Sequence, residues 1–265
     1  MPNTELPSTT KLVSVNGLET EVAYDHHAID EVLVPALRHW ISSTRGILGA
    51  GGTSTGGSPR GDRCRHYAFL AAPPGAGKST LAVLLENALS PALQCVGLDG
   101  FHLPQTELEA RNVRGLDGRP VPLATIKGAP ETFNLPALTQ TLERGLRENV
   151  TWPRYDRTLH DIVLDGPELS ADHVLVEGNW LLLDEPGWRE IARFASFTIF
   201  MSAPEPLLRQ RLVQRKVRGG LTLEAADEFY KQSDGPNVRR VLDHSARVGV
   251  DIDLTLDAHG TIHER

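Results

Sequence analysis

The segment Ala72–Thr80 has the residue types and the spacing of a phosphate-binding loop. It reads Ala-Pro-Pro-Gly-Ala-Gly-Lys-Ser-Thr and lies between the apolar run Tyr67–Ala71 and a segment with helical spacing of apolar residues. In a strand, loop and helix of this kind, glycines let backbone N–H groups turn toward phosphate oxygens, and the helix N-terminus adds its positive dipole end. A lysine at the helix start can reach the outer phosphates of a nucleotide, and the next hydroxyl can bind Mg²⁺.

We therefore expect the loop to bind a nucleotide. The predicted nucleotide-binding residues are Gly75, Ala76, Gly77, Lys78, Ser79 and Thr80. Ala72 stands where the first loop glycine usually does, which is tolerable if residue 72 ends the strand with a negative φ. A glycine-rich turn before a surface helix is the alternative interpretation.

Two acidic residues follow the next apolar segments along the chain. Asp99 comes after the predicted strand Cys95–Leu98, and Glu177 comes after Val174–Val176. Ligands of an open parallel sheet bind outside the carboxyl ends of the strands, so both acids would face the loop. Asp99 could accept the proton of an attacking hydroxyl, and Glu177 could bind Mg²⁺ together with Ser79, or hold a substrate hydroxyl. An Asp-Gly turn and a turn cap are the alternatives that involve no chemistry.

A basic helix is predicted over Glu205–Lys216, before Gly219-Gly220. Arginines on one face of it could close over the transferred phosphate and neutralise the charge that develops in the transition state. We expect Arg215 and Arg218 to act in this way. A solvated helix face is the alternative, and it applies to some of the basic residues Arg209, Arg211, Arg215, Lys216 and Arg218.

A run of aromatic and charged residues, Trp152–Arg157 followed by His160, is the candidate wall of a second binding site. Aromatic faces with histidine or aspartate hydrogen bonds suit a polyhydroxylated or heterocyclic ligand. An aromatic hairpin packed on the core is the alternative. The predicted substrate-binding residues are Asp99, His102, Lys127, Tyr155, Arg157 and His160.

Composition limits the partners of the chain. The 265 residues carry a formal net charge of −7, which implies no strongly basic face and argues against nucleic acid as a partner. Two cysteines, Cys64 and Cys95, have no metal-ligand spacing and make no disulfide framework, which favours a reducing cytoplasm. No signal peptide is visible, and no apolar run approaches the roughly 18 residues of a membrane span. We expect a small-molecule partner and no membrane partner, and a homodimer stays open.

The chemistry-bearing residues are predicted to be positioned by alternating strands and helices. Strands are predicted at 66–71, 95–98, 174–176, 197–201 and 252–256, the last closing the sheet, and helices at 78–90, 134–149, 188–193, 205–216, 223–231 and 237–247. This alternation predicts an α/β fold of the P-loop NTPase type, with a parallel sheet, helices on both faces and a helical lid.

Six motifs are specific as a set: Ala72–Thr80, Leu98–His102, Lys127–Phe133, Trp152–Asp156, Val176–Trp180 and Asp234–Val238. Together they resemble the uridine kinase, phosphoribulokinase and bacterial pantothenate kinase group of P-loop kinases over about residues 66–256. The set is closest to the bacterial branch of fructose-transport-system kinases and nucleoside or nucleotide kinases.

The resemblance implies roles for several residues. Asp99 matches the catalytic base, and Glu177 matches the acid near metal and acceptor. Tyr155 and His160 keep the spacing of the tyrosine and histidine with which uridine kinases contact the base. The Gly-Phe-His sequence after Asp99 differs from the Ser-Phe-Tyr of uridine kinases and looks more like pantothenate kinase.

Three segments are predicted along the chain. Residues 1–43 form an N-terminal hairpin, with Asn16-Gly17 as its turn, and a helix that Pro35 kinks or divides, packed on the core. Residues 44–63 form a flexible Gly/Ser-rich loop. Residues 64–265 form the P-loop kinase domain, with the lid near 205–233.

The expected activity is transfer of a phosphate from ATP, with Mg²⁺, to a hydroxyl of a small metabolite. The expected catalytic residues are Asp99, Lys78, Glu177, Arg215 and Arg218. A fructose-like sugar is the first expected acceptor, with a nucleoside or pantothenate-type acceptor as the alternative. From another class, a regulatory P-loop NTPase would need no acceptor and no base at Asp99.

Overall fold

A computed structural model describes residues 9–15, 18–45, 64–114 and 118–265. The strands are β1 (Thr9–Val15), β2 (Leu18–Tyr24), β3 (His66–Ala71), β4 (Gln94–Gly97), β5 (Asn112–Arg114), β6 (Pro120–Pro122), β7 (Arg154–Asp156), β8 (Asp161–Val163), β9 (His173–Gly178), β10 (Ala195–Ser202), β11 (Ile252–Leu256) and β12 (Ile262–Glu264). The α-helices are α1 (Val34–Arg45), α2 (Lys78–Leu89), α3 (Gln105–Ala110), α4 (Leu135–Gly145), α5 (Trp188–Ala192), α6 (Glu205–Arg218), α7 (Leu223–Phe229) and α8 (Gly235–His244).

The central sheet has the strand order β12-β11-β10-β3-β9-β4. Five of these strands are parallel, and only β12 at the edge is antiparallel to its neighbour. The predicted α/β class with a parallel sheet is confirmed. The prediction that Ile252–Leu256 closes the sheet is wrong, because β12 pairs beyond it. A strand with a single apolar residue, Ile262, has no alternating pattern that the sequence could reveal.

Strand β3 divides the core into two layers, because its side chains alternate between the faces of the sheet. Ala68 and Leu70 pack with α1, α2 and α6 on one face. Tyr67, Phe69 and Ala71 pack with α4 and α5 on the other. All five side chains are fully buried, as expected for a central parallel strand that is covered on both sides.

The N-terminal segment packs on the first of these layers. Strands β1 and β2 pair as the predicted hairpin, although its turn at 16–17 and residues 46–63 lie outside the described residues. A π-helix, His27–Leu33, precedes α1, so the predicted helix is in two pieces that meet next to Pro35. Val13 and Leu37 belong to the same buried cluster as Leu70. The division into three segments stays a prediction.

The excursion between β4 and α4, of which residues 103–114 and 118–132 are described, contains regular structure. It holds α3, the small β5–β6 hairpin and two short 3₁₀ turns, Leu123–Ile126 and Pro130–Thr132. A satellite cluster of Leu103, Leu108 and Leu123 lies beneath it. Within the described residues, no helix is long and apolar enough to span a membrane.

Helix α4 begins as predicted and ends earlier than predicted. The Asn134 side chain accepts a hydrogen bond from the N–H of Ala137, which caps the first turn. The helix ends at Gly145 rather than near residue 149. A side chain at Gly145 would place its Cβ 2.1 Å from the Tyr67 hydroxyl oxygen, so the helix end and β3 approach too closely for any other residue.

Arg65, the residue before β3, ties the end of α4 to the segment that enters β9. Its side chain is buried, and its guanidinium donates hydrogen bonds to the carbonyl oxygens of Gly145, Glu148, Leu169 and Ala171. Each of these carbonyls lies in the last residue of α4, just beyond it, or before β9, and the arginine satisfies it there. It therefore fixes β9, which carries Glu177, relative to β3, which leads into the phosphate loop.

We expect the substitution Arg65→Met to destabilise the protein by about 3 kcal/mol or more, since each unsatisfied buried carbonyl costs about 1–3 kcal/mol. Urea unfolding of the variant and the parent measures this difference. The control is Arg144→Gln on α4, whose side chain is 59% exposed and pairs with Glu148; it should change the stability by less than about 1 kcal/mol. Equal losses in the two variants would contradict the role of Arg65.

Candidate active site

The loop between β3 and α2 has the backbone geometry of a phosphate-binding site. Gly75 and Gly77 have φ values of +84° and +101°, a left-handed conformation that glycine adopts without strain. Helix α2 begins at Lys78, and no side chain caps its N-terminus, so its first N–H groups can face an anion. Among the described residues other than glycine, only His160 has a positive φ. Ala72 therefore has a negative φ, which is the condition under which an alanine can replace the first loop glycine.

A buried carboxylate joins the phosphate loop to the neighbouring strand. The Ser79 hydroxyl donates a hydrogen bond of 2.8 Å to Glu177 Oε1, and Lys78 Nζ lies 4.0 Å from Glu177 Oε2. Glu177 lies inside β9 rather than after it. Burial raises the pKa of Glu177, and the nearby Lys78 ammonium opposes this shift. The lysine and the carboxylate thus hold each other at the start of α2.

The donor set of Ser79 and Glu177 fits Mg²⁺. Both offer hard oxygen atoms at the end of the phosphate loop, where α2 begins. No group of three or more acidic, histidine or cysteine side chains among the described residues could hold a metal ion by itself. Mg²⁺ commonly keeps water and phosphate oxygens as its other ligands, so two protein donors suffice.

Asp99 and Glu177 line one cavity next to the loop. Asp99 lies in a 3₁₀ turn, Leu98–Phe101, that directly follows β4, and it is exposed. The cavity has a volume of 210 Å³. The negative charge of Asp99 adds to the rise in the pKa of Glu177, so the two carboxylates are within electrostatic reach of each other. A hydroxyl group between them would also be close to the phosphate loop.

The candidate wall that the sequence predicted contains the β7–β8 hairpin, which contributes to the lining of this cavity. Trp152, Tyr155 and Arg157 line it. Trp152 is buried, and its indole N–H donates a 2.8 Å hydrogen bond to the carbonyl oxygen of Gly97 at the end of β4. The structure therefore brings together three of the predicted substrate residues, Asp99, Tyr155 and Arg157, and places Glu177, predicted for metal binding and catalysis, in the same lining.

His102 supports Asp99 from behind the cavity. Its ring is buried against Phe133, with 4.0 Å between the ring centroids, and its Nδ1–H donates a 2.8 Å hydrogen bond to the backbone carbonyl of Asp99. Burial lowers the pKa of His102, so the neutral ring is favoured. His102 does not line the 210 Å³ cavity, and its predicted contact with substrate stays a prediction.

Lys127 and His160 also lie outside the lining of that cavity. Lys127 Nζ donates hydrogen bonds to Gln105 Oε1 at 2.9 Å and to the His160 carbonyl oxygen at 2.8 Å. The lysine therefore joins the excursion to the tip of the β7–β8 hairpin. His160 is exposed at that tip.

Sequence reasoning did not select Arg211, the arginine of α6 that reaches the phosphate loop. Its Nη1 lies 3.4 Å from the Gly75 carbonyl oxygen and 3.5 Å from that of Ala76. Burial lowers the pKa of its guanidinium. The spacing of the buried Leu208 and Leu212 shows which face of α6 packs inward, but only the fold shows that this face meets the loop.

The two arginines predicted to contact phosphate lie further along α6. Arg215 is close to Asp234. Burial raises the pKa of Asp234, and the positive charge of Arg215 opposes this shift. Arg218 is exposed at the last residue of the helix. Within the described structure, neither side chain is hydrogen-bonded to the loop. Their action on a transferred phosphate stays a prediction.

Relatives in sequence cover most of the chain. A protein of Escherichia coli K12, the uncharacterized protein YggC, is 39% identical over 248 residues, which are 92% of this chain and 94% of that protein. A proposed uridine kinase of Schizosaccharomyces pombe is 26% identical over 64% of this chain and 74% of its own length. A pantothenate kinase of Streptomyces avermitilis is 33% identical over 69% of this chain, and the match spans 57% of that longer protein. No protein-family model matches the chain.

A solved structure agrees with these relatives. The crystal structure of a proposed fructose transport system kinase from Silicibacter sp. TM1040 superposes with a TM-score of 0.63 and 30% sequence identity. The match covers 79% of this chain and 97% of the other. The fold and the sequence therefore point to the same group of proteins.

The contact of His102 with the Asp99 carbonyl generates a pH-dependent prediction. Because the pKa of His102 in the folded protein is below its ordinary value of 6.5, the unfolded state binds more protons than the folded state below about pH 6.5. The free energy of unfolding should therefore fall as the pH decreases from 6.5 toward the folded pKa. His102→Asn keeps a donor near the Asp99 carbonyl but cannot titrate, so its stability should fall less over this range.

Urea unfolding at pH 7.5 and pH 5.5 measures how the free energy of unfolding changes with pH in the parent and in His102→Asn. At pH 7.5 the variant should be about 1–2 kcal/mol less stable because the imidazole no longer packs on Phe133. The control is His39→Asn at an exposed position on α1, which should keep the slope of the parent. A slope in His102→Asn as steep as that of the parent would contradict the assignment of a buried neutral ring.

Proposed function

Because the chain belongs to the group of P-loop kinases that includes uridine kinases and pantothenate kinases, we propose that it transfers the terminal phosphate of ATP, with Mg²⁺, to a hydroxyl group of a small polyhydroxylated metabolite. The observation that supports this most directly is the shared cavity. Asp99 and Glu177 line it on one side, and Glu177 contacts Lys78 and Ser79 of the phosphate loop. A hydroxyl and a terminal phosphate can thus meet within reach of the same acid.

Each side chain has a proposed part in the transfer. Lys78 and the loop N–H groups bind the outer phosphates, and Arg211 adds positive charge beside the loop. Ser79 and Glu177 would hold Mg²⁺, which when bound neutralises phosphate charge. Asp99 orients the acceptor hydroxyl and takes its proton. Arg215 and Arg218 are proposed to approach the phosphate when α6 and α7 close over it.

The acceptor is proposed to be a sugar, of a fructose-like kind. The cavity is small, and acidic, basic and aromatic side chains line it together, which suits a polyhydroxylated ligand. The relative of known structure that is described as a proposed fructose transport system kinase supports the same choice. A pantothenate-type acceptor is the alternative that the Streptomyces relative supports.

A nucleoside acceptor rests on Tyr155 and His160. Tyr155 lines the cavity, whereas His160 lies at the hairpin tip, where Lys127 binds its carbonyl oxygen. A nucleoside would therefore need a rearranged tip to contact both residues. This geometry supports the sugar more than the nucleoside.

The regulatory NTPase is the alternative from another class. Such a protein would have no use for a polar cavity that opens beside the phosphate loop, and Asp99 would have no catalytic task. A cytoplasmic location, the absence of nucleic acid as a partner and a homodimer stay predictions. The exposed free thiol of Cys64 is consistent with a reducing compartment.

The substitution Asp99→Asn separates the two classes. Asn has the same shape but cannot accept the hydroxyl proton, so acceptor-stimulated ADP release should fall about 10²–10⁴-fold. ATP affinity should stay within about threefold, because Asp99 is outside the phosphate loop. Steady-state ADP release against a panel of sugars, nucleosides and pantothenate measures the first quantity, and calorimetric titration with ATP measures the second.

Asp243→Asn on α8 is the matched control, since this exposed carboxylate is remote from the cavity in sequence and does not line it. It should keep the activity of the parent. The regulatory NTPase would be favoured instead if no acceptor stimulated nucleotide hydrolysis and if the parent and Asp99→Asn hydrolysed the nucleotide at the same rate.

A further inference from the structure

We infer that the acceptor carries a negatively charged group, a carboxylate or a phosphate, and that Arg157 binds it in the cavity that Asp99 also lines. This inference rests on the proposed kinase function and specifies its substrate class. It makes Arg157 a specificity residue, and it favours sugar acids and sugar phosphates over neutral sugars and nucleosides.

The cavity is lined by charges of both signs that come from different elements. Asp99 and Glu177 come from the turn after β4 and from β9, while Arg154 and Arg157 come from the β7–β8 hairpin, and all four line the cavity. A ligand in the cavity would therefore meet both carboxylates and a guanidinium.

The two arginines differ in their partners. Arg154 forms ion pairs with Asp156 at 3.1 Å and with Asp165 at 3.3 Å, so hairpin carboxylates already balance its charge. Arg157 forms no ion pair with any residue in the described part of the chain. Its guanidinium is therefore available to a ligand, and that of Arg154 is not.

The backbone around Arg157 is fixed before any ligand binds. Asp156 Oδ1 accepts hydrogen bonds from the N–H groups of Thr158 at 2.8 Å and Leu159 at 3.1 Å. These two bonds close a turn over residue 157. Asp156 thus orders the turn and pairs with Arg154, which leaves Arg157 on an ordered turn and, among the described residues, without an ion pair.

Guanidinium chemistry decides which ligand fits. A planar guanidinium binds carboxylate and phosphate through paired hydrogen bonds, which are stronger than those to neutral hydroxyl groups. An anionic group would be repelled by Asp99 and Glu177, so it would turn to the hairpin side and leave a hydroxyl group beside Asp99. Among the acceptors considered above, fructose and nucleosides are neutral, whereas pantothenate carries a carboxylate.

The test compares matched acceptors that differ in one charged group. The pairs are sorbitol with gluconate, pantothenol with pantothenate, and fructose with fructose 6-phosphate. ATP-dependent ADP release gives kcat and KM for each compound. In the parent protein, the charged member of at least one pair should have a kcat/KM about 10–100-fold above its neutral partner, and the pair that responds shows whether the group is a carboxylate or a phosphate.

Arg157→Gln should remove this preference. The KM for the charged acceptor should rise about 10–100-fold with kcat changed much less, because Arg157 holds a part of the substrate remote from the reacting hydroxyl. The neutral partner should change less than about threefold. Arg157→Lys keeps a charge and should recover part of the loss. Arg144→Gln, an exposed arginine substitution on α4, is the control and should behave as the parent in every assay.

Two results would overturn the inference alone: a parent protein that uses the neutral members at least as well, or an Arg157→Gln variant that loses equal activity with both members of a pair. A different result contradicts the proposed function itself. In that case the protein binds ATP, but none of the six compounds stimulates the release of ADP. Thermal unfolding of Arg157→Gln shows whether the variant is folded when the assays are made.

Discussion

The contact of Glu177 with Lys78 and Ser79 is the interaction on which the rest of the site depends. A carboxylate that is 14% exposed needs a partner for its charge. The lysine and the hydroxyl supply it from the first two residues of α2, while the acid comes from β9. This contact sets the distance between the phosphate loop and the neighbouring strand. A bound nucleotide and metal ion would therefore enter a site whose charged groups already lie together.

The strand order explains why the second acid lies beside the first. Because β9 lies between β3 and β4, the turn that carries Asp99 is separated from the phosphate loop by the strand of Glu177. Small residues permit this close arrangement. A Cβ on Gly97 would lie 3.3 Å from Glu177 Oε1, and one on Gly178 would lie 2.5 Å from the Cβ of Leu98. Larger residues there would separate β4 from β9 and move Asp99 away from the acid.

The sequence predicted the parts of the site that local patterns encode. The loop glycines, Asp99 after a buried run and the start of α4 next to residue 134 each depend on a few neighbouring residues, and the structure has all three. Side-chain partners could not be predicted in this way. The hydrogen bond of His102 to the Asp99 carbonyl, and that of Lys127 to the His160 carbonyl 33 residues away, depend on how distant segments pack. The position of Arg211 beside the loop depends likewise on how α6 packs against Gly75.

The charges of the site alternate along the path that a substrate would take. Lys78 and Arg211 lie at the phosphate loop, Glu177 contacts Lys78, and Asp99, Glu177 and Arg157 line the cavity together. Opposite charges at successive positions favour one orientation of a ligand and disfavour its reverse. The phosphates of a nucleotide would be attracted to the positive groups at the loop and repelled by the acids that line the cavity. An acceptor with an anion at one end and a hydroxyl at the other can match the same order only with the hydroxyl beside Asp99. On the proposed function, this arrangement would select the reacting end of the acceptor through electrostatics, before any contact specific to its carbon skeleton is made.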